Sequence, residues 1–251
     1  NLIDLASVPS DTILSLLHDA QRFLEAPEAG QSEASRLHGK AFALLFFEPS
    51  TRTRVSFELA AKRLGASTVA LTREGSSLLK GESVLDTARN IEAMGVDGFV
   101  IRHQDNQVPY ELAKHLNTPL VNAGYGTGEH PPQGLLDALA LRMHIGAPGG
   151  EELNGKTIAI VGDIRHSRVA RSDVHALESL GAEVILCGPE NLLPDSESPG
   201  WGRSQRTTDR AATLQAADAI VVLRIQRERL GETVVNLDAY LDSWRITSKT
   251  L

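Results

Sequence analysis

The chain has 251 residues, 41% of them hydrophobic and only 4% aromatic, with a formal net charge of −7 and a pI near 5.6. That length serves two ordinary domains with separate cores, and the acidic balance argues against a general nucleic-acid surface. Cys187 is the single cysteine, so no intrachain disulfide framework is possible, and a reducing cytoplasm is the expected compartment. No apolar run approaches the ~20 residues that cross a bilayer, and no basic, apolar leader precedes the first helix, so neither a membrane nor a nucleic-acid partner is expected.

Apolar runs alternate with helix-like segments in βαβ order. The predicted strands are Ala41 to Phe47, Gly98 to Arg102, Pro119 to Asn122, Thr157 to Gly162, Glu183 to Cys187 and Asp218 to Leu223. Runs that are apolar throughout suit strands covered on both faces, which gives an α/β fold of two domains, each a mainly parallel sheet flanked by helices. Three strands are assigned to each domain. A helix over Gln133 to Ile145 is followed by Gly146-Ala-Pro-Gly-Gly150, a helix stop, and the boundary is placed there, at 1–145 and 146–251. Pro194 to Arg210, rich in Ser, Pro, Asp, Arg and Thr, reads as a surface loop.

Ligands of open α/β sheets collect beyond the carboxyl ends of the strands. There the chain carries Phe46-Phe-Glu-Pro-Ser-Thr-Arg-Thr-Arg-Val-Ser-Phe-Glu58, a strand, a short turn and a helix that Gly65 ends. Ser50, Thr51, Arg52 and Thr53 fall at the turn, where unpaired helix N–H groups, hydroxyls and a guanidinium complement a tetrahedral oxyanion. An isolated Ser-Thr pair more often only caps a helix. Arg102 follows one strand and His130 precedes a helix, on the rim where such an anion would lie. In the second half Asp163-Ile-Arg-His-Ser-Arg168 and Arg224-Ile-Gln226 follow strands, and paired guanidiniums suit carboxylates. No Cys/His spacing marks a metal site, and no Gly-x-Gly-x-x-Gly follows Ile158-Ala-Ile-Val-Gly-Asp163, so the nicotinamide-oxidoreductase alternative is weak. No cofactor and no catalytic metal are expected.

Phe47-Glu-Pro-Ser-Thr-Arg-Thr-Arg54 resembles the carbamoyl phosphate signature of the transcarbamoylase family, and Glu48-Pro49 resembles its aspartate branch. The resemblance continues at Leu79-Lys-Gly-Glu-Ser83, Val100-Ile-Arg-His103, Glu129-His-Pro-Pro-Gln133, Val161 to Ser172 and Leu223 to Leu230, with Pro132 where the family more often has Thr. It implies transfer of a carbamoyl group from carbamoyl phosphate to the α-amino group of L-aspartate in de novo pyrimidine synthesis. Carried over residue by residue, Ser50, Thr51, Arg52 and Thr53 grip the phosphate, Arg102 and His130 reach the same ligand, and Gln133 holds its amide. Thr53, Arg102 and His130, with Arg52, are the implied catalytic set. Arg168, Arg224 and Gln226 match the aspartate-binding positions. Ser76 and Lys80 match a loop that completes a neighbouring subunit's site, Lys80 also reaching aspartate, which implies a homotrimer, possible in assembly with regulatory or dihydroorotase chains. The two domains thereby become carbamoyl phosphate-binding and aspartate-binding. The family continues past Leu251 with a strand, a His-Pro-Leu-Pro-type loop and a helix that are missing from this sequence. Ornithine carbamoyltransferase is the nearest alternative, disfavoured by Arg224 and Gln226 and by the lack of an Asp-x-x-x-Ser-Met-Gly stretch. An inactive anion-binding scaffold is the other.

Overall fold

The computed structural model describes residues 1–25, 33–73, 81–146, 153–230, 235–248 and 250. They divide into two compact units, one of Asn1–Leu5 with Ser15–Pro132 and one of Ala6–Leu14 with Gln133–Leu251. Each contains a four-stranded parallel sheet. No helix among the described residues is long and apolar enough to cross a membrane.

In the first unit β1 (Ala41–Phe46) is followed by α2 (Thr51–Arg63), β2 (Ser67–Thr72), α3 (Val84–Ala93), β3 (Gly98–His103), α4 (Val108–His115) and β4 (Leu120–Tyr125), after α1 (Ser10–Glu25), which begins before it. The strand order is β2-β1-β3-β4. The pleat sends alternate side chains to opposite faces: Ala43, Leu45, Phe99 and Ile101 pack with Ala88, Ile91 and Leu112 of α3 and α4. Leu44, Phe46 and Val100 form the other face with Phe57 of α2. Covering on both faces explains why β1 and β3 are apolar without alternation. Leu2 extends the sheet at its β4 edge, where its N–H donates to the Leu120 carbonyl (2.9 Å) and its carbonyl accepts from the Asn122 N–H (2.9 Å).

The second unit runs through α5 (Pro131–Ile145), β5 (Thr157–Val161), α6 (Arg168–Ser179), β6 (Glu183–Cys187), β7 (Gln205–Thr207), α7 (Arg210–Ala216), β8 (Ala219–Val222) and α8 (Leu237–Trp244), in strand order β7-β6-β5-β8. Ala159, Val161 and Cys187 pack with Ala217, Trp244 and Ile246 on one face. Ile158, Ile160, Val184 and Leu186 are buried, as are Val174 and Leu177 of α6.

The six predicted strands are present, but each sheet has four strands, not three. The added β2 and β7 are edge strands. Pro194 to Arg210 is therefore more than a surface loop: it contains β7, and Trp201 is 2% exposed with the Arg171 guanidinium 4.3 Å from its ring centroid. The α5 helix ends at Ile145 as expected, whereas most of the Gly146–Gly150 turn lies outside the described residues.

Candidate functional site

In the first sheet the chain leaves β1 toward β2 on one side and returns as β3 on the other. The crevice beyond the carboxyl ends of β1 and β3 is thus a topological switch point, where doubly wound sheets bind ligands. The two ends are level, for Phe46 and Arg102 are register partners, and the segment after Phe46 turns into α2. Ser50 is the N-cap of α2, in an extended conformation (φ −162°, ψ 98°), yet its hydroxyl makes no capping hydrogen bond. The first helical bond runs from the Arg54 N–H to the Ser50 carbonyl (3.2 Å), so the N–H groups of Thr51, Arg52 and Thr53 precede the ladder. No acidic residue occupies the first turn. This leaves the positive end of a thirteen-residue helix unbalanced by a local carboxylate.

A cavity of about 160 Å³ opens here, lined by Phe46, Phe47, Ser50, Thr51, Arg54 and Arg73 among others. The structure thus adds Arg54 and Arg73 to the cations predicted from sequence, while Arg52 is exposed and Thr53 half-buried beside that cavity's lining. Arg73 escaped the sequence reading because it follows β2, the strand that reading omitted. Arg54 lay in the motif, but only the helix phase turns it toward the cavity.

Arg102 is 9% exposed at the end of β3. One end of its guanidinium pairs with Glu48 (Nη2 to Oε1, 2.7 Å) and Nη1 donates to the Ala123 carbonyl (3.2 Å). The Glu48–Arg102 pair bridges the two sides of the switch point, and such a partly buried, charge-assisted contact fixes the guanidinium plane. His130 is held by a different device. Asn122 of β4 donates to the Ile3 carbonyl (2.7 Å) and the Glu129 carbonyl (3.1 Å), and its own Oδ1 accepts the Gly124 N–H (2.7 Å). The Glu129 carboxylate accepts the Leu5 N–H (2.8 Å). These contacts pin the turn after β4 and leave His130, 6% exposed, immediately before α5.

The second sheet has its own switch point, between β5 and β8. Gly162 at the exit of β5 has φ +128°, and a Cβ there would lie 2.7 Å from the Leu223 carbonyl oxygen, so only glycine lets the two strand exits approach this closely. Asp163 follows, fully buried. Its Oδ1 contacts His166 Nδ1 (2.7 Å) and its Oδ2 accepts the Gln226 backbone N–H (2.9 Å). One carboxylate thereby ties the loop after β5 to the loop after β8, the two segments that carry Arg168, Arg224 and Gln226. Burial and the Asp163 charge push the nearby Tyr240 phenol above its ordinary range.

Ser167 caps α6 by accepting the Ala170 N–H (3.1 Å), which makes Arg168 the first helical residue, 3% exposed. Arg224 is exposed, with Nη1 donating to the Ile225 carbonyl (3.1 Å). Gln226 is 8% exposed and its Oε1 accepts from Arg229 Nη1 (3.1 Å). The structure therefore brings all three to one switch point but in unlike surroundings. Asp163 was within the quoted motif without a role; that an acid follows an unbroken apolar strand was the available signal.

Gln133, on the first turn of α5, donates through Nε2 to Asp137 Oδ1 (3.0 Å). Its amide oxygen is the end not engaged there. Ser76 and Lys80 lie outside the described residues. Among the described residues no group of three or more His, Cys, Asp or Glu is arranged to hold a metal ion.

Residues 1–143 match the family described as aspartate/ornithine carbamoyltransferase, carbamoyl-P binding domain. An aspartate carbamoyltransferase catalytic subunit of Synechococcus sp. (strain CC9902) is 46% identical over 263 aligned positions, covering 96% of this chain and 75% of that protein. The corresponding subunit of Myxococcus xanthus (strain DK1622) is 48% identical over 230, covering 91% and 74%. Among solved structures, aspartate transcarbamoylase from Trypanosoma cruzi in complex with N-(phosphonacetyl)-L-aspartic acid superposes with a TM-score of 0.89 at 29% identity, over 100% of this chain and 79% of that one. Ornithine carbamoyltransferase from Pyrococcus furiosus gives 0.84 at 27%, over 100% and 80%. The chain belongs to the aspartate/ornithine carbamoyltransferase family.

Proposed function

We propose that this chain is a catalytic subunit that transfers the carbamoyl group of carbamoyl phosphate to the α-amino group of L-aspartate, giving N-carbamoyl-L-aspartate and phosphate in de novo pyrimidine biosynthesis. The observation that carries the reading is the cradle at the start of α2: three helix N–H groups ahead of the ladder and a Ser50 hydroxyl not spent on capping, beside a cavity lined by Arg54 and Arg73. That is the complement of a phosphate. Naming of the relatives as aspartate carbamoyltransferase catalytic subunits supports the aspartate branch.

In this reading residues 1–145 form the carbamoyl phosphate domain and 146–251 the aspartate domain. Ser50, Thr51, Arg52 and Thr53 hold the phosphate and Gln133 the carbamoyl amide. Arg168, Arg224 and Gln226 hold the carboxylates of aspartate. The neutral amine attacks the carbonyl carbon, the carbonyl π-electrons move to oxygen, and the tetrahedral intermediate collapses by breaking the bond to the phosphate oxygen. The departing phosphate accepts the proton that the amine loses. Thr53, Arg102 and His130 stabilise the oxyanion, an effect worth ~3–4 kcal/mol for a well-placed donor. Proximity of the two bound substrates supplies much of the remainder. We extend the proposal to a cytoplasmic homotrimer in which Ser76 and Lys80 complete a neighbouring subunit's site, a heterologous contact of the kind closed rings make.

The test is turnover by full-length protein with carbamoyl phosphate and either aspartate or ornithine. Carbamoyl aspartate with aspartate, and no citrulline with ornithine, is the expected result. Efficient use of ornithine overturns the aspartate assignment. For the trimer, mixing inactive Lys80→Ala and inactive Arg52→Ala chains should restore part of the activity, and hybrid oligomers that stay inactive overturn the shared site.

A further inference from the structure

The α5 and α6 helices touch at Gly134. A Cβ there would lie 2.8 Å from the Ser172 Cβ and 2.9 Å from its carbonyl oxygen, closer than real side chains come. This approach brings two acids together, Asp137 one turn after Gln133 and Asp173 next to Ser172, within each other's hydrogen-bonding reach. Asp173 is fully buried and Asp137 half-buried. Among the described residues the groups acting on the pair are its own two carboxyls and Gln133; Arg142 shares α5, and Arg171 and His175 share α6, without acting on either carboxyl.

Two ionised carboxylates have no hydrogen to share, and in that state neither oxygen of Asp173 has a hydrogen-bond partner. One proton between them removes the repulsion and gives one of the two orphaned Asp173 oxygens a partner. Burial decides where it sits. Burial and the Asp137 charge push Asp173 well above the ordinary carboxylate range, while for Asp137 the hydrogen bonds with Gln133 and Asp173 work against the lift that burial causes. With the proton on Asp173, Asp137 remains an acceptor only. The amide end of Gln133 that faces it must then be Nε2, as the 3.0 Å contact has it.

We propose that Asp173 is a positioning residue for carbamoyl transfer, whose O–H donates to Asp137 and so holds in place the carboxylate that takes the Gln133 Nε2, leaving the Gln133 oxygen to accept from the carbamoyl amide. The inference rests on the reading that Gln133 holds that amide.

The experiment compares full-length wild type, Asp173→Asn and Asp173→Leu. Asp173→Asn keeps a neutral donor to Asp137 but cannot ionise; Asp173→Leu has neither property. In the folded Leu variant the KM for carbamoyl phosphate should rise by about tenfold, with the KM for aspartate within about twofold, since a lost orientation affects one ligand. Asn should rescue to within about threefold. Rising pH strips the shared proton in wild type and replaces the contact that holds Asp137 with repulsion between two carboxylates, so its carbamoyl phosphate KM should climb on the alkaline side and that of the Asn variant should not. Carboxyl carbon NMR of the wild type should show one aspartate titrating well above the ordinary range, absent in Asp173→Asn. That readout needs no turnover and stands even where the Leu variant fails to fold. A folded Leu variant with unchanged kinetics, or carboxyls that all titrate normally in an active wild type, overturns the positioning role alone. A wild type that shows the shared proton yet makes no carbamoyl aspartate sinks the functional reading and the positioning role together.

Discussion

At their N-terminal edges the two sheets are assembled from the same parts. Lys40 precedes β1 and pairs with Asp97, whose other oxygen accepts the Ala41 N–H; Lys156 precedes β5 and pairs with Asp218, whose other oxygen accepts the Thr157 N–H. The return bonds match as well, from Asp97 N–H to the Ala41 carbonyl (2.7 Å) and from Asp218 N–H to the Thr157 carbonyl (2.8 Å). Gly65 and Gly181, both at positive φ, end the helices that lead to β2 and β6. The carboxyl edges share nothing comparable. Beyond β1 and β3 an ion pair, Glu48–Arg102, spans the switch point beside an open helix start; beyond β5 and β8 a buried carboxylate, Asp163, ties the two exits together through backbone and imidazole. One half therefore presents an open helix start beside a cavity lined by Arg54 and Arg73. The other has a preformed backbone on which Arg168 is buried and Arg224 exposed. In the proposed function the shared edges carry the fold and the unlike edges carry the chemistry.

If that division is right, the largest effect comes from the cradle. Arg52→Ala should lower kcat/KM by about 10²-fold or more, the equivalent of two charge-assisted hydrogen bonds at ~1.5–3 kcal/mol each, and should leave the unfolding midpoint nearly unchanged because Arg52 is exposed. Steady-state kinetics beside urea unfolding check both halves of the statement. Near-normal turnover would remove Arg52 from the site. Asp163→Ala should invert the pattern. It strands the Gln226 N–H and unties the two loops, at a cost of ~2–4 kcal/mol in stability measured by urea unfolding, and aspartate kinetics should worsen with it. A variant as stable as wild type would show that Asp163 does not hold the second switch point.

The contrast between edges also explains what could be read from sequence. The central strands β1, β3, β5 and β6 stood out because strands covered on both faces leave unbroken hydrophobic runs, and the edge strands β4 and β8 because their residues are mostly apolar, although β8 is only partly buried and leaves Val222 56% exposed. Ser-Thr-Val-Ala-Leu-Thr of β2 did not, since an edge strand keeps Val69 about half exposed and mixes polar residues among apolar ones. The three-residue β7 was hidden in a stretch rich in Ser, Pro and Arg, and only the buried Trp201 would have marked it as ordered. The anion turn was legible because its residue types and its helix start are contiguous. Glu48–Arg102, Asp163–Gln226 and Asp137–Asp173 were not, because each joins residues from different elements, and strand order and helix phase decide which meet.

A smaller effect is expected at Arg224. It is exposed and donates to its neighbour's carbonyl, so its removal should cost the fold little. Arg224→Ala should lower kcat/KM for aspartate by about 10- to 10²-fold while carbamoyl phosphate affinity, measured by calorimetry, stays within about twofold. Loss of both affinities together would mean that the two edges are not functionally separate.

The smallest effect is expected at the shared edges, and it should be the same in both halves. Lys40 with its hydrogen bond, and the Ala41 N–H, hold the Asp97 carboxyl below the ordinary range; the Thr157 N–H, and Lys156 with its hydrogen bond, do the same for Asp218. A carboxyl with a lowered folded-state pKa stabilises the fold when ionised. Its contribution is complete above the unfolded Asp value of ~3.9 and is lost as pH falls through the lowered folded value. Asp97→Asn and Asp218→Asn should each show a slightly lower urea midpoint than wild type at pH 7, and the gap should close below about pH 4, where the wild-type carboxyl takes up its proton. Both pairs sit on the edge away from the strand exits, so turnover should be unchanged in either variant. Two midpoint shifts of clearly different size, or a gap that widens in acid, would show that matched hydrogen bonds at the two N-terminal edges do not amount to matched energetics.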